Sequence, residues 1–204
     1  MTPPVQWLAG RRALIAGTGA AIDVVANALQ RAGAQVIRSS VAADVEDGIA
    51  EEMVRLFDAG GIDILVHDGA PRVARSALEI GVDEWRTDVS ADIDLRFLHS
   101  TEYARRCLAA GQGGAILFLM PAPQPRTGQV AAATVTGAID NLVKSLAVEW
   151  ARDGIRVNAI ASRLCETDGV EDEAARESLG HLAAYLVSDY AAYISGTVMG
   201  IDER

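Results

Sequence analysis

The chain has 204 residues, half of them hydrophobic, enough to bury one sizeable core and too few for two comfortable domains, so a single domain over residues 1–204 is expected. Its formal net charge is −10 and its pI near 4.7, a balance that repels polyanions and argues against nucleic-acid or anionic-membrane partners. Without an apolar run of signal-peptide or membrane-spanning length, a cytoplasmic location is the expectation.

Along the chain, Ala13–Ala16 is a short apolar run ending at Gly17-Thr18-Gly19, after which Ile22, Val25, Ala26 and Leu29 recur at helical spacing up to Gly33. Gln35–Ile37 reads as a second strand. Ile49, Met53, Leu56 and Phe57 mark one face of a helix that stops at Gly60-Gly61, and Ile62–Val66 is a third strand. A long helix is expected from Asp83 to Ala110, with Ile93, Phe97, Ala104 and Leu108 on its apolar stripe, then a buried strand at Ala115–Met120. Pro121, Pro123 and Pro125 interrupt regular structure. Helix resumes from Val130 to Arg152, followed by a strand at Arg156–Ile160, a last helix around Ser178–Ser188 and a strand near Thr197–Met199. Alternating strands and helices imply an α/β fold, a Rossmann-type doubly wound parallel sheet of six strands with helices on both faces.

Cys107 and Cys165 show neither C-x-x-C nor Cys/His spacing, so neither a disulfide framework nor a metal site is expected, and Cys107 reads as helix packing.

The segment Asp140–Ala161, together with Ile62–Val66 and Tyr193–Val198, resembles the short-chain dehydrogenase/reductase family, and the resemblance covers nearly the whole chain. It implies a tyrosine general acid/base, a lysine four residues later, a serine and an asparagine. By position these fall at Ala132, Thr136, Pro121 and Asp92, none of which can do the corresponding chemistry. The chain's single lysine, Lys144, has no tyrosine four residues before it, so no shift of register restores the pair. The family's glycine-rich turn is similar to Ala16–Asp23, with Ala21 and Asp23 where the second and third glycines would stand. Asp23, in the first helical turn, is expected to stabilise the helix start and to compete with a phosphate.

The family's N-N-A-G corresponds to His67-Asp68-Gly69-Ala70. Adjacent side chains on an extended segment point to opposite faces, so His67 is expected to be a loop histidine bonded to backbone, not a base oriented by Asp68. Asp92 and Asp94, two apart on a helix, read as a solvated or interface face. Only Arg38–Asp47 separates the second strand from the next helix, where the family places a helix and a strand. That shortening removes the seventh strand and leaves Gln35–Ile37 at an edge. A second shortening follows Ala161, where an acidic run, Glu166 to Glu177, takes the place of a lid.

These departures lead to an expectation of no catalytic, cofactor-binding or metal residues and no cofactor: a non-catalytic subunit assembled with an intact relative in an α2β2 hetero-oligomer, a homodimer being the alternative partner arrangement. The alternatives in function are an NAD(P)-dependent oxidoreductase with unconventional residues, a ligand-sensing module, or a non-redox lyase using His67, Asp68 or Asp92.

Overall fold

The computed structural model describes residues 6–41, 46–69, 76–122, 130–165 and 172–201. The strands are β1 (Arg12–Ala16), β2 (Gln35–Arg38), β3 (Ile64–Asp68), β4 (Gly114–Met120), β5 (Ile155–Ser162) and β6 (Val198–Ile201). The helices are α1 (Ala20–Arg31), α2 (Glu46–Asp58), α3 (Val82–Ala110), α4 (Val130–Glu149) and α5 (Glu173–Val187). All strands pair in parallel in one six-stranded sheet of order β2-β1-β3-β4-β5-β6, the doubly wound arrangement that the sequence implies.

Alternation along each strand sorts the core into two layers. Ala13, Ile15, Ile64, Val66, Leu117 and Leu119 face α1 and α5. Leu14, Leu65, Ile116, Phe118 and Val157 face α2, α3 and α4. This parity continues to the ends of the strands, so His67 follows Leu65 toward α3 while Asp68 follows Val66 toward α1.

Polar anchors fix the strand starts. Asp63 accepts from the Arg12 amide at 2.8 Å, and the buried Tyr103 hydroxyl donates to the Asp63 carbonyl at 2.6 Å. Position 114 must be glycine because a Cβ there would overlap the Tyr103 hydroxyl. Asn158 on β5 donates to the Ile194 carbonyl and accepts from the Thr197 amide, which aims the chain into β6.

As anticipated, β2 is an edge strand, and among the described residues between Arg38 and Asp47 there is no further strand. β3 lies two residues later than the apolar run suggests, because its register with β4 carries His67 and Asp68 into the ladder. α5 begins earlier than its apolar spacing indicates: Asp172 Oδ1 accepts from the Ala174 and Ala175 amides and nucleates the turn. α3 departs most from expectation. Its buried residues are Asp92, Arg96, His99, Ser100, Tyr103, Ala104 and Cys107, whereas Phe97 and Leu108, assigned to the apolar stripe, are about half exposed. No helix among the described residues is long and apolar enough to cross a membrane.

Candidate active site

In an open parallel sheet, ligands lie beyond the carboxyl ends of the strands where the strand order reverses, here between β1 and β3. The first wall of that crevice is the turn from β1 to α1. Gly17 and Gly19 take positive φ, 118° and 143°, which only glycine adopts easily. A Cβ on Gly17 would sit 2.7 Å from the Asp68 carbonyl oxygen, so β1 and β3 close on each other through this glycine. Gly19 is the N-cap of α1 and no side chain among the described residues caps the helix, leaving its first amides open toward the crevice.

Asp23 does not cap that helix, contrary to expectation. Its carboxylate instead pairs with Arg38 at 2.5 Å, across the gap between α1 and the end of β2. Both side chains are more than half exposed, so the pair contributes little to stability, but it sets a cation at the mouth of the crevice. The second wall is Asp68, whose carboxylate accepts from the Gly69 amide and reaches to within 3.3 Å of where a Gly19 Cβ would stand.

Behind these walls lies a buried polar cluster between β3 and α3. The Arg96 guanidinium donates to Asp92 Oδ1 at 2.7 Å, to the His67 carbonyl at 3.1 Å and to the Leu119 carbonyl at 2.7 Å, and stacks 5.2 Å from the centre of the Phe118 ring. It thereby ties the ends of β3 and β4 together. Burial lowers its pKa to about 10, with the charge of Asp68 opposing that shift, so it stays a cation at neutral pH. Gly69 passes directly over the pair, with no room for a side chain between it and Asp92 or Arg96. The sequence reading of Asp92 as a solvated or interface residue is therefore corrected: it is fully buried in an ion pair, and only Asp94 is exposed.

His67 is corrected as well. It is a strand residue 2% exposed, its ring packs edge-on to that of His99 with centroids 4.9 Å apart, and its Nδ1 has no hydrogen-bond partner among the described residues. Burial, then Arg96 and His99, hold its pKa well below the ordinary histidine value. As expected from the pleat, His67 and Asp68 point to opposite faces and form no base–carboxylate dyad.

Where the family's tyrosine and lysine would stand, the first turns of α4 carry Ala132 and Thr136. The Thr136 hydroxyl donates to the Ala132 carbonyl at 2.9 Å and is nearly buried. Lys144 pairs with Asp140 on the exposed face. Pro121 follows β4, while Ala70 and the first half of the acidic run, residues 166–171, lie outside the described residues. No group of three or more metal-ligating side chains is found among the described residues, and Cys165 is partly buried, its thiol pKa pushed up chiefly by desolvation. Arg96 and Arg38 were missed from sequence. Arg96 falls on a helix face whose apolar spacing suggested other core residues, and Arg38 is meaningful only once Asp23 is seen beside it.

Comparison with known proteins bears directly on this geometry. Residues 9–179 match the family model described as enoyl-(acyl carrier protein) reductase. A cis-4-hydroxycyclohexanecarboxylate dehydrogenase of Sinomonas cyclohexanicum is 29% identical over 215 residues, covering 95% of this chain and 86% of that protein. A 2-dehydro-3-deoxy-D-gluconate 5-dehydrogenase of Pseudoalteromonas atlantica is 30% identical over 162 residues, 69% of this chain and 63% of its own length. The structure of a short chain dehydrogenase from Mycobacterium smegmatis superposes with a TM-score of 0.85 at 18% identity, over 98% of this chain and 94% of that one, a likeness of fold. These findings overturn the expectation of a non-catalytic subunit: the relatives that align along the chain are named as dehydrogenases.

Proposed function

Because the chain belongs to the short-chain dehydrogenase/reductase family, we propose that it is an NAD(P)-dependent oxidoreductase that works without the family's tyrosine and lysine. The observation that carries this reading is the alignment of 95% of the chain with a protein named as a dehydrogenase of a hydroxylated ring acid.

The residues of the crevice fit the phosphate side of a dinucleotide. Gly17 and Gly19 let the backbone approach closely, the uncapped N-terminus of α1 offers free amides, and Asp23, the charge that would oppose a phosphate, is answered by Arg38. Arg38, at the end of β2, stands where an arginine accommodates a 2′-phosphate, which favours NADP(H) over NAD(H). On the ribose side Thr136 supplies no cation, and its hydroxyl is already committed to the Ala132 carbonyl.

A bound nicotinamide would take or give the hydride. This chain's part is to hold the phosphates at α1, to keep the ends of β3 and β4 in register through Arg96, and to keep Asp68 against the glycine turn. Neither Ala132 nor Thr136 can carry a proton away from a substrate hydroxyl, so this reading passes that proton to water or to a group of the substrate itself.

Calorimetric titration with each of the four nicotinamide forms, followed by assays on secondary alcohols including hydroxycyclohexanecarboxylates, tests the proposal. Micromolar binding of at least one form with measurable turnover is the expected result. Failure of all four to bind at millimolar concentration would overturn it.

A further inference from the structure

The contact between α3 and β3 holds two histidines in an unusual setting. His67 and His99 are 2% and 5% exposed, and their rings meet edge to face. The His99 Nδ1 lies 2.9 Å from the Leu95 carbonyl, which requires the hydrogen on Nδ1 and leaves Nε2 a bare acceptor. That acceptor and the Nδ1 of His67 are both buried without a hydrogen-bond partner among the described residues, as is the hydroxyl of Ser100 on the next helical position.

We propose that the His67–His99 contact is an acid-sensitive joint: protonation forces α3 away from the carboxyl end of β3 and so dismantles the floor of the crevice.

The cost of a proton here is electrostatic and local. A proton on either ring would place a cation in a space closed to solvent, beside the Arg96 guanidinium that already donates to the His67 carbonyl. The charged groups facing the pair are Arg96 and Asp92 of α3, Asp68 of β3 and Glu52 of α2. Asp92 is engaged with Arg96, and Asp68 points to the other side of the sheet. Among these groups Glu52 favours a charge on His99. It is itself held by Ser39 and Ser40 at the end of β2, and burial outweighs it.

Both rings are therefore neutral in the fold, with pKa values below the ordinary one, whereas exposed imidazoles protonate near pH 6.5. The stability they contribute is whole above about pH 6.5 and is lost as pH falls below it, because only the opened state takes up the protons. Each histidine makes opening about tenfold more favourable per pH unit in that window, the pair about a hundredfold. Opening at this joint frees the carbonyls of His67 and Leu119 from Arg96, and with them the strand ends that carry Asp68 and Gly69.

The test is hydrogen exchange of the whole protein at pH 5.0, 6.0 and 7.0, corrected for intrinsic rates, alongside urea unfolding over the same range. Expected is an early loss of protection in α3 from Asp92 to Tyr103 and at the end of β3, ahead of β4 and β5. The unfolding constant should rise with a slope near two protons, falling to near zero in a His67→Asn/His99→Gln variant and unchanged in His181→Gln, a change on an exposed helix face. Should the double variant fail to fold, histidine ring NMR of the unaltered protein decides: both rings are expected to stay neutral down to the onset of opening. Reversible titration of either ring near pH 6 in an otherwise unchanged spectrum would overturn the proposal, as would an undiminished slope in the double variant or uniform loss of protection.

Discussion

Replacing Arg96 by methionine is the most demanding test of how this crevice is held. The guanidinium is fully buried and so is its partner Asp92, their atoms 2.7 Å apart, and it also satisfies two main-chain carbonyls at the ends of β3 and β4. Removing one member of a buried ion pair costs about 3–5 kcal/mol, and leaving a buried acceptor unsatisfied costs roughly 1–3 kcal/mol more. Against a total of about 5–15 kcal/mol for a folded domain, Arg96→Met is expected to consume about half of the stability. The double change Arg96→Met/Asp92→Leu removes the Asp92 carboxylate as well and should recover about 2 kcal/mol or more, since a buried pair exchanged for apolar groups is often nearly neutral. Urea unfolding of the two single variants and the double, with the slope checked for constancy, gives the coupling energy directly. A loss below about 1 kcal/mol for Arg96→Met, or a coupling near zero, would mean that the cluster does not hold these strands as argued.

Three further outcomes follow from the same structure. Arg38→Ala should weaken NADP(H) binding about tenfold, or about 1.4 kcal/mol, with little effect on NAD(H); equal effects on both by calorimetry would remove Arg38 from the phosphate side. Gly17→Ala should cost roughly 1–3 kcal/mol through backbone strain, with a further loss from the overlap with Asp68, seen as a lowered midpoint of thermal unfolding. Cys165, partly buried and with its thiol held protonated by desolvation, should resist a thiol reagent at pH 8 in the native protein and react at once in urea, as should the buried Cys107.

The fold was legible because its central strands are buried on both faces. Runs such as Ile64–Val66 and Ala115–Met120 have no other stable place than the centre of a parallel sheet, and the loss of one edge strand could be read from the length of the Arg38–Asp47 connection. The site was less legible, for two physical reasons. The buried face of α3 is built from Asp92, Arg96, His99 and Ser100, residues whose burial depends on partners distant in sequence, so hydrophobic spacing pointed instead to Phe97 and Leu108. Asp23, read as a helix-start carboxylate, turned to Arg38, and no local rule anticipates a partner brought in by the neighbouring strand. The expectation of an inactive subunit came from taking the departures at Ala132, Thr136, Pro121 and Asp92, the altered glycine turn and the two shortenings together as decisive. Those residues exclude one way of moving a proton, which is a narrower statement than excluding the reaction.

The edge position of β2 has a consequence for kinetics. The strand order reverses between β1 and β3, so a ligand lying across that point has four strands of protein on one side and only β1 and the four-residue β2 on the other. A dinucleotide half resting on the β2 side would be held by less protein surface. Between related complexes such a difference shows as faster dissociation, while the rate of encounter hardly changes. If the chain binds a dinucleotide as proposed, a shortened sheet edge would act as a fast exit, and turnover limited by cofactor release in a wider sheet would here be limited by the chemical step.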